Sequence, residues 1–129
     1  MEIDHIGYAV KNIEKAKTKF EMLGYSFEEI IKDEDRNIYI CFGNNENTRI
    51  ELVSPIVKGE SPVDGALSKM GPTPYHICYK TRDIDKDIEE LTSKGFLLII
   101  KPKEAIAFGG SKVAFLMNLQ VGMIELVER

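Results

Sequence analysis

The sequence predicts an α+β fold. Two β-α-β-β-β modules, related by a pseudo-twofold axis, are expected to form an eight-stranded, cup-shaped mixed sheet with the helices outside. Three observations lead there. His5 to Phe27 lies over His76 to Leu98 without a gap, and His5/His76, Ile6/Ile77, Tyr8/Tyr79, Ile13/Ile84, Lys15/Lys86 and Gly24/Gly95 are identical. Ile50-Glu51-Leu52-Val53 then recurs as Ile124-Glu125-Leu126-Val127. Strand and helix periodicities follow in the same order in both halves, as expected of an internal duplication.

Each element has a local reason. Glu2 to Val10 alternates as a strand. Asn12 is an N-cap candidate, and Ile13, Ala16, Phe20 and Leu23 follow at helical spacing until Gly24 stops the helix at its C′ position. Tyr25 to Ile31 returns as a strand, Asp33 to Asn37 turns, and Asn37 to Phe42 and Thr48 to Val53 form a hairpin around Gly43 to Asn47. Residues 56–73 read as a connector rich in Pro and Gly, with a short helix from Val63 to Met70. In the second half, Tyr75 to Thr81 is a strand. Asp83 caps a helix with Ile84, Ile88 and Leu91 on one face, ending at Gly95. Strands from Phe96 to Lys101, Lys112 to Met117 and Val121 to Val127 complete it. The repeats span about 1–55 and 74–129, within one domain covering 1–129.

Composition narrows the class. At 129 residues, 43% hydrophobic and 29% charged, the chain suits one soluble globular domain. A net charge of −4 with both signs interspersed argues against a nucleic-acid partner. No apolar run reaches membrane-spanning length, and Met1 to Asp4 lacks a basic-then-apolar signal, which points to the cytoplasm. The two cysteines, Cys41 and Cys78, fall inside strand-like runs and read as reduced, buried fillers.

The strand period sorts the polar residues. Ile6, Ile50, Leu52, Ile77, Ile124 and Leu126 need the helix-covered face, so His5, Glu51, His76 and Glu125 turn to the other one. The chain has only two histidines, and both occupy the same slot of the repeat. Two imidazoles and two carboxylates suit a divalent transition metal such as Zn, Ni, Co, Mn or Fe. A strand histidine alone is more often a hydrogen-bonded core residue. A carboxylate in an apolar strand is costly to bury without compensation, and its recurrence favours a ligand role.

The paired modules carrying His5, Glu51, His76 and Glu125 resemble the vicinal oxygen chelate superfamily, which includes glyoxalase I, methylmalonyl-CoA epimerase, extradiol dioxygenases and metal-free bleomycin-binding proteins. Within it, Ile3-Asp4-His5-Ile6-Gly7-Tyr8-Ala9-Val10, Ile50-Glu51-Leu52-Val53-Ser54-Pro55, Tyr75-His76-Ile77-Cys78 and Ile124-Glu125-Leu126 look most like the epimerases. The resemblance implies that His5, Glu51, His76 and Glu125 ligate one divalent ion. Glu125 and Glu51 would then move a proton next to a thioester or hemithioacetal carbonyl through a metal-stabilised enediolate. It implies a small-molecule substrate, an acyl-CoA thioester or a glutathione hemithioacetal, and a homodimer.

Epimerases usually carry Gln at the position of Glu51, where glutamate looks more like bacterial glyoxalase I. Some have an acid where this chain has Tyr39, and glyoxalase I commonly has an arginine where this chain has Ala9. The alternatives are therefore a lactoylglutathione lyase, a non-catalytic small-molecule or drug-binding protein and, more distantly, a ring-cleaving dioxygenase. The loop Phe108 to Lys112 is a candidate cover over the site. Arg49, Lys80 and Lys112 are candidate anion contacts.

Overall fold

A computed structural model describes every residue, Met1 to Arg129. The residues group into two compact units, one of His5 to Tyr75 and the other of His76 to Arg129 with Met1 to Asp4.

The first unit holds β1 (Ile3–Ala9, which starts in the other unit), α1 (Ile13–Glu21), β2 (Ser26–Phe27), β3 (Ile31–Asp33), β4 (Ile38–Asn45), β5 (Thr48–Pro55) and α2 (Asp64–Met70). β1 pairs with β5 in parallel, Gly7 beside Glu51. β5 pairs with β4 antiparallel, Glu51 opposite Phe42. β2 and β3 both pair with β4.

The second unit repeats the plan with β6 (Thr73–Thr81, which starts in the first unit), α3 (Ile84–Ser93), β7 (Leu97–Glu104), β8 (Lys112–Asn118) and β9 (Gly122–Glu128). β6 pairs with β9 in parallel, Cys78 beside Glu125, and β9 pairs with β8, Glu125 opposite Phe115. β7 closes the edge against β8.

Both crossover helices begin and end alike. Asn12 Oδ1 accepts from the Lys15 N–H (2.9 Å) and Asp83 Oδ1 from the Lys86 N–H (3.1 Å). At the other end Gly24 and Gly95 take φ of +103° and +97°. There the Tyr25 and Phe96 N–H groups donate back to Phe20 O and Leu91 O. This is a Schellman closure, which only glycine enters without strain. Each helix covers strands of its own repeat: Ile13 packs with Val10, Cys41, Ile50 and Leu52, and Ile84 and Ile88 pack with Ala114, Leu116 and Leu126.

Strand continuity differs from expectation in two places. The single strand expected from Tyr25 to Ile31 is broken into β2 and β3. The steps from Phe27 to Ile31 face only those from Gly43 to Ile40, so one residue is extra on the outer strand. β7 runs beyond Lys101 to Glu104, with register shifts between Leu98 and Ile100 and between Ile100 and Lys103. Pro102, which has no N–H to give a ladder, falls at the second shift.

Between the units' strands, Asp64 fixes the connector. Its carboxylate accepts from the Gly59 N–H (2.9 Å) and from the Ser61 N–H and Oγ (2.8 Å each). These bonds hold its pKa below the ordinary carboxylate value, the Gly59 N–H contributing most. No helix is long and apolar enough to cross a membrane.

Gly43 is needed for space, since a Cβ there would come within 2.4 Å of the Phe27 ring. Gly43→Ala is expected to cost about 1–3 kcal/mol of unfolding free energy, as overpacked sites do. Adding Phe27→Leu should recover part of it. Denaturant unfolding checks both, and a neutral Gly43→Ala would contradict the packing.

Candidate functional site

Each unit carries one buried imidazole–carboxylate pair. In the first, His5 on β1 and Glu51 on β5 are 1% and 4% exposed, with His5 Nε2 3.7 Å from Glu51 Oε2. In the second, His76 on β6 and Glu125 on β9 are 4% and 3% exposed, with His76 Nε2 2.9 Å from Glu125 Oε2. The strand period does this. Ile50 and Leu52 are taken into the core under α1, and Leu126 into the core under α3, so the glutamates between them must face the opposite way.

A phenylalanine accompanies each pair. Phe42, opposite Glu51 on the hairpin, meets the His5 ring edge-on with centroids 5.6 Å apart at 75°. Phe115, opposite Glu125, meets His76 at 5.3 Å and 90°. These rings orient the imidazoles and line the carboxylates with apolar surface. The sequence reading passes over both. The available signal is their place: each is the hairpin partner of the repeat's glutamate.

The remaining candidates divide. Tyr39 does not belong to the site. It packs against the cluster of Cys41, Ile50 and Leu52 beneath α1, because odd-numbered positions of β4 face that helix. The site-facing positions on that strand are Ile40 and Phe42, so this strand offers no acid. Ala9 follows Gly7 along the His5 face of β1 and is fully buried.

Cys78 and Cys41 are both buried, and neither forms a disulfide. Cys41 lies on the helix side and donates from Sγ to Glu28 O (3.2 Å). Burial pushes its thiol above the usual pKa. Lys80 pairs with Glu2, Nζ to Oε1 at 3.0 Å. Lys112, at the start of β8, is exposed.

The Phe108 to Lys112 loop is a tightly bonded connector. Ile106 to Phe108 form a 3-10 turn, Phe108 is buried, and Gly110 N and Phe108 N both donate to Ala105 O. The Arg129 guanidinium sits 5.3 Å from the Phe108 ring centroid.

Arg49, by contrast, lies on the Glu51 face of β5. Its guanidinium stacks over Phe42 (4.2 Å), and Nη1 donates to Glu28 Oε2 (2.9 Å).

The donor set fits a divalent transition metal on chemical grounds. Imidazole nitrogen and carboxylate oxygen are its preferred ligands, and a cation compensates carboxylates held away from water.

Comparison with known proteins agrees with this reading of the fold. The sequence profile of the Glyoxalase/Bleomycin resistance protein/Dioxygenase superfamily matches residues 4–115. An ethylmalonyl-CoA/methylmalonyl-CoA epimerase of Cereibacter sphaeroides is 30% identical over 88% of this chain and 86% of its own. The uncharacterised protein YqjC of Bacillus subtilis is 28% identical over 98% of this chain and 91% of its own. Among solved structures, a point variant of the methylmalonyl-CoA epimerase of Streptomyces coelicolor, in complex with 2-nitronate-propionyl-CoA, superposes with a TM-score of 0.81 and 26% identity. That match covers 99% of this chain and 94% of the other.

The Cys41 thiol should react with thiol reagents far more slowly in the native protein than after unfolding. Equal rates would contradict its raised pKa and its place under α1. With two repeats, each presenting a buried His–Glu pair from parallel neighbouring strands, and a profile match over most of its length, the chain belongs to the glyoxalase/bleomycin resistance protein/dioxygenase, or vicinal oxygen chelate, superfamily.

Proposed function

We propose that this chain is a metal-dependent isomerase of the methylmalonyl-CoA epimerase type, with His5, Glu51, His76 and Glu125 holding one divalent ion. The observation that carries the proposal is the duplicated pair: a buried histidine Nε2 facing a buried glutamate Oε2 at the same place in both repeats. An acyl-CoA thioester as substrate and a homodimer complete it. The substrate class is supported by the epimerase relative and by the acyl-CoA analogue in the Streptomyces coelicolor complex.

A bound divalent ion supplies Lewis acidity, drawing electron density from a substrate carbonyl so that the adjacent C–H becomes acidic. The protein's own groups do the rest. His5 and His76 are the neutral ligands, and their rings are oriented by Phe42 and Phe115. Glu125 Oε2 takes the proton from the carbon next to the thioester carbonyl as a general base. Inversion at that carbon needs a proton delivered to the opposite face, and Glu51, the equivalent group of the other repeat, delivers one that it already carries; exchange with water then removes the proton from Glu125 and restores the one on Glu51. This assignment needs no acid on β4, in keeping with Tyr39 lying under α1.

A glyoxalase I-type reaction, lactoylglutathione formation from a hemithioacetal, is the second reading, favoured by glutamate rather than glutamine at position 51. Ala9 weighs against it, since a buried methyl cannot anchor a glutathione carboxylate.

With metal retained, Glu125→Gln should slow exchange of the methylmalonyl-CoA α-proton with deuterated water by about 10²–10⁴-fold, the usual contribution of a positioned base. Undiminished exchange would remove Glu125 from that role. Turnover of a hemithioacetal and not of methylmalonyl-CoA by the unmutated protein would select the second reading.

A further inference from the structure

We propose that the cavity at the N-terminus of α1 is an oxyanion site, taking the phosphate or carboxylate group of a small molecule. It lies on the helix-covered side of β5. Ser54 leaves that strand on the face opposite to Glu51, so the site is separate from the histidine–glutamate pairs.

The cavity has a volume of about 340 Å³. Its walls are Lys11 with the first turn of α1, and Tyr39 and Ser54, which oppose each other on β4 and β5. α1 has nine residues, and its first turn has donors left over. Asn12 Oδ1 takes the Lys15 N–H and Asn12 O takes the Ala16 N–H. The N–H groups of Ile13 and Glu14 have no acceptor in the protein. These donors and the positive end of the helix dipole attract an anion.

Ser54 points to the same occupant independently. It is 3% exposed, yet its hydroxyl has no hydrogen-bond partner in the protein. A buried hydroxyl in that state is unfavourable. Its place in the cavity wall turns it toward the space that the free N–H groups border. Lys11 adds a cation at the rim. Glu14 is also at the rim, but it is exposed and solvent screens its charge.

The other repeat shows what belongs in this place. The β6–β9 ladder pairs Thr81 with Glu128, and one step beyond Ala9 and Val53 the β1–β5 ladder sets Val10 beside Ser54. Ser54 and Glu128 are therefore equivalent positions, as are Ile13 and Ile84. Glu128 Oε2 accepts from the Ile84 N–H at 2.9 Å. The second repeat thus closes its helix N-terminus with a carboxylate of its own. The first has a shorter, neutral side chain there, and a cavity. An external oxyanion supplies the missing acceptor and pairs the Ser54 hydroxyl as well.

The space exceeds what one lost carboxylate would leave. The cavity shares Lys11 and Pro55 with another of about 640 Å³, which runs past Leu67 and Ser68 of α2. The anion therefore has room to be the end group of a larger organic molecule.

The test is a ¹⁵N–¹H titration of the whole chain with inorganic phosphate and, separately, with acetate, at an ionic strength held constant with chloride. The Ile13 and Glu14 amide signals should move and saturate with at least one of the two. The Ile84 amide, already bonded to Glu128, should stay in place. Saturation by phosphate alone assigns a phosphate group, and by acetate alone a carboxylate group; either supports the site. Ser54→Ala should weaken binding by about tenfold or more, the scale of one hydrogen bond to a charged group. Ser54→Glu, which copies the other repeat, should abolish it and shift the Ile13 amide with no anion added.

Ile13 and Glu14 signals that saturate with neither anion would overturn the site. So would an Ile84 amide that moves in parallel with them, or Ser54→Ala binding as tightly as the unmutated chain. Should Ser54→Glu fail to fold, Ser54→Ala decides.

Discussion

A carboxylate buried beside an imidazole is the constraint on which each half of this chain depends. Removing a carboxylate from water is costly, and neither repeat avoids that cost. The reason lies in the strand. Ile50 and Leu52 must enter the core under α1 for the first unit to fold. The residue between them is then turned to the other face whatever its chemistry. Placing glutamate there, with an imidazole on the neighbouring parallel strand, makes one short segment serve both core and site. The same segment does so again around Glu125.

Much of this was legible in the sequence because it follows from periodicity. The repeat, the helix caps at Asn12 and Asp83, the glycine closures at Gly24 and Gly95, and the facing of the four ligand candidates all rest on local spacing. What was not legible depends on pairing partners distant in sequence. The bulge that separates β2 from β3 is defined only against β4, and the shifts in β7 only against β8. Phe42 and Phe115 gain their meaning from the residues they oppose across a hairpin. The face that Tyr39 takes, at the position where some epimerases have an acid, is hidden in the sequence for the same reason. Alternation along β4 settles its face once the Phe42–Glu51 register is known.

The two halves have diverged in an ordered way. The imidazole, the carboxylate, the flanking phenylalanine and the small residue beside the carboxylate, Gly7 or Cys78, persist in both. One row further along β5 and β9 the repeats part, with Arg49 and Asn44 in one and Met123 and Met117 in the other. The persistent positions are those that the proposed ion would ask of each repeat alike.

Metal content per chain bears most directly on whether the two pairs act as one centre. Elemental analysis of the purified, metal-reconstituted protein should find one divalent ion per chain. His5→Ala and His76→Ala should each lose it completely, because each strips a ligand from the same ion. Two ions per chain, or full occupancy surviving either substitution, would contradict a centre built jointly by the repeats.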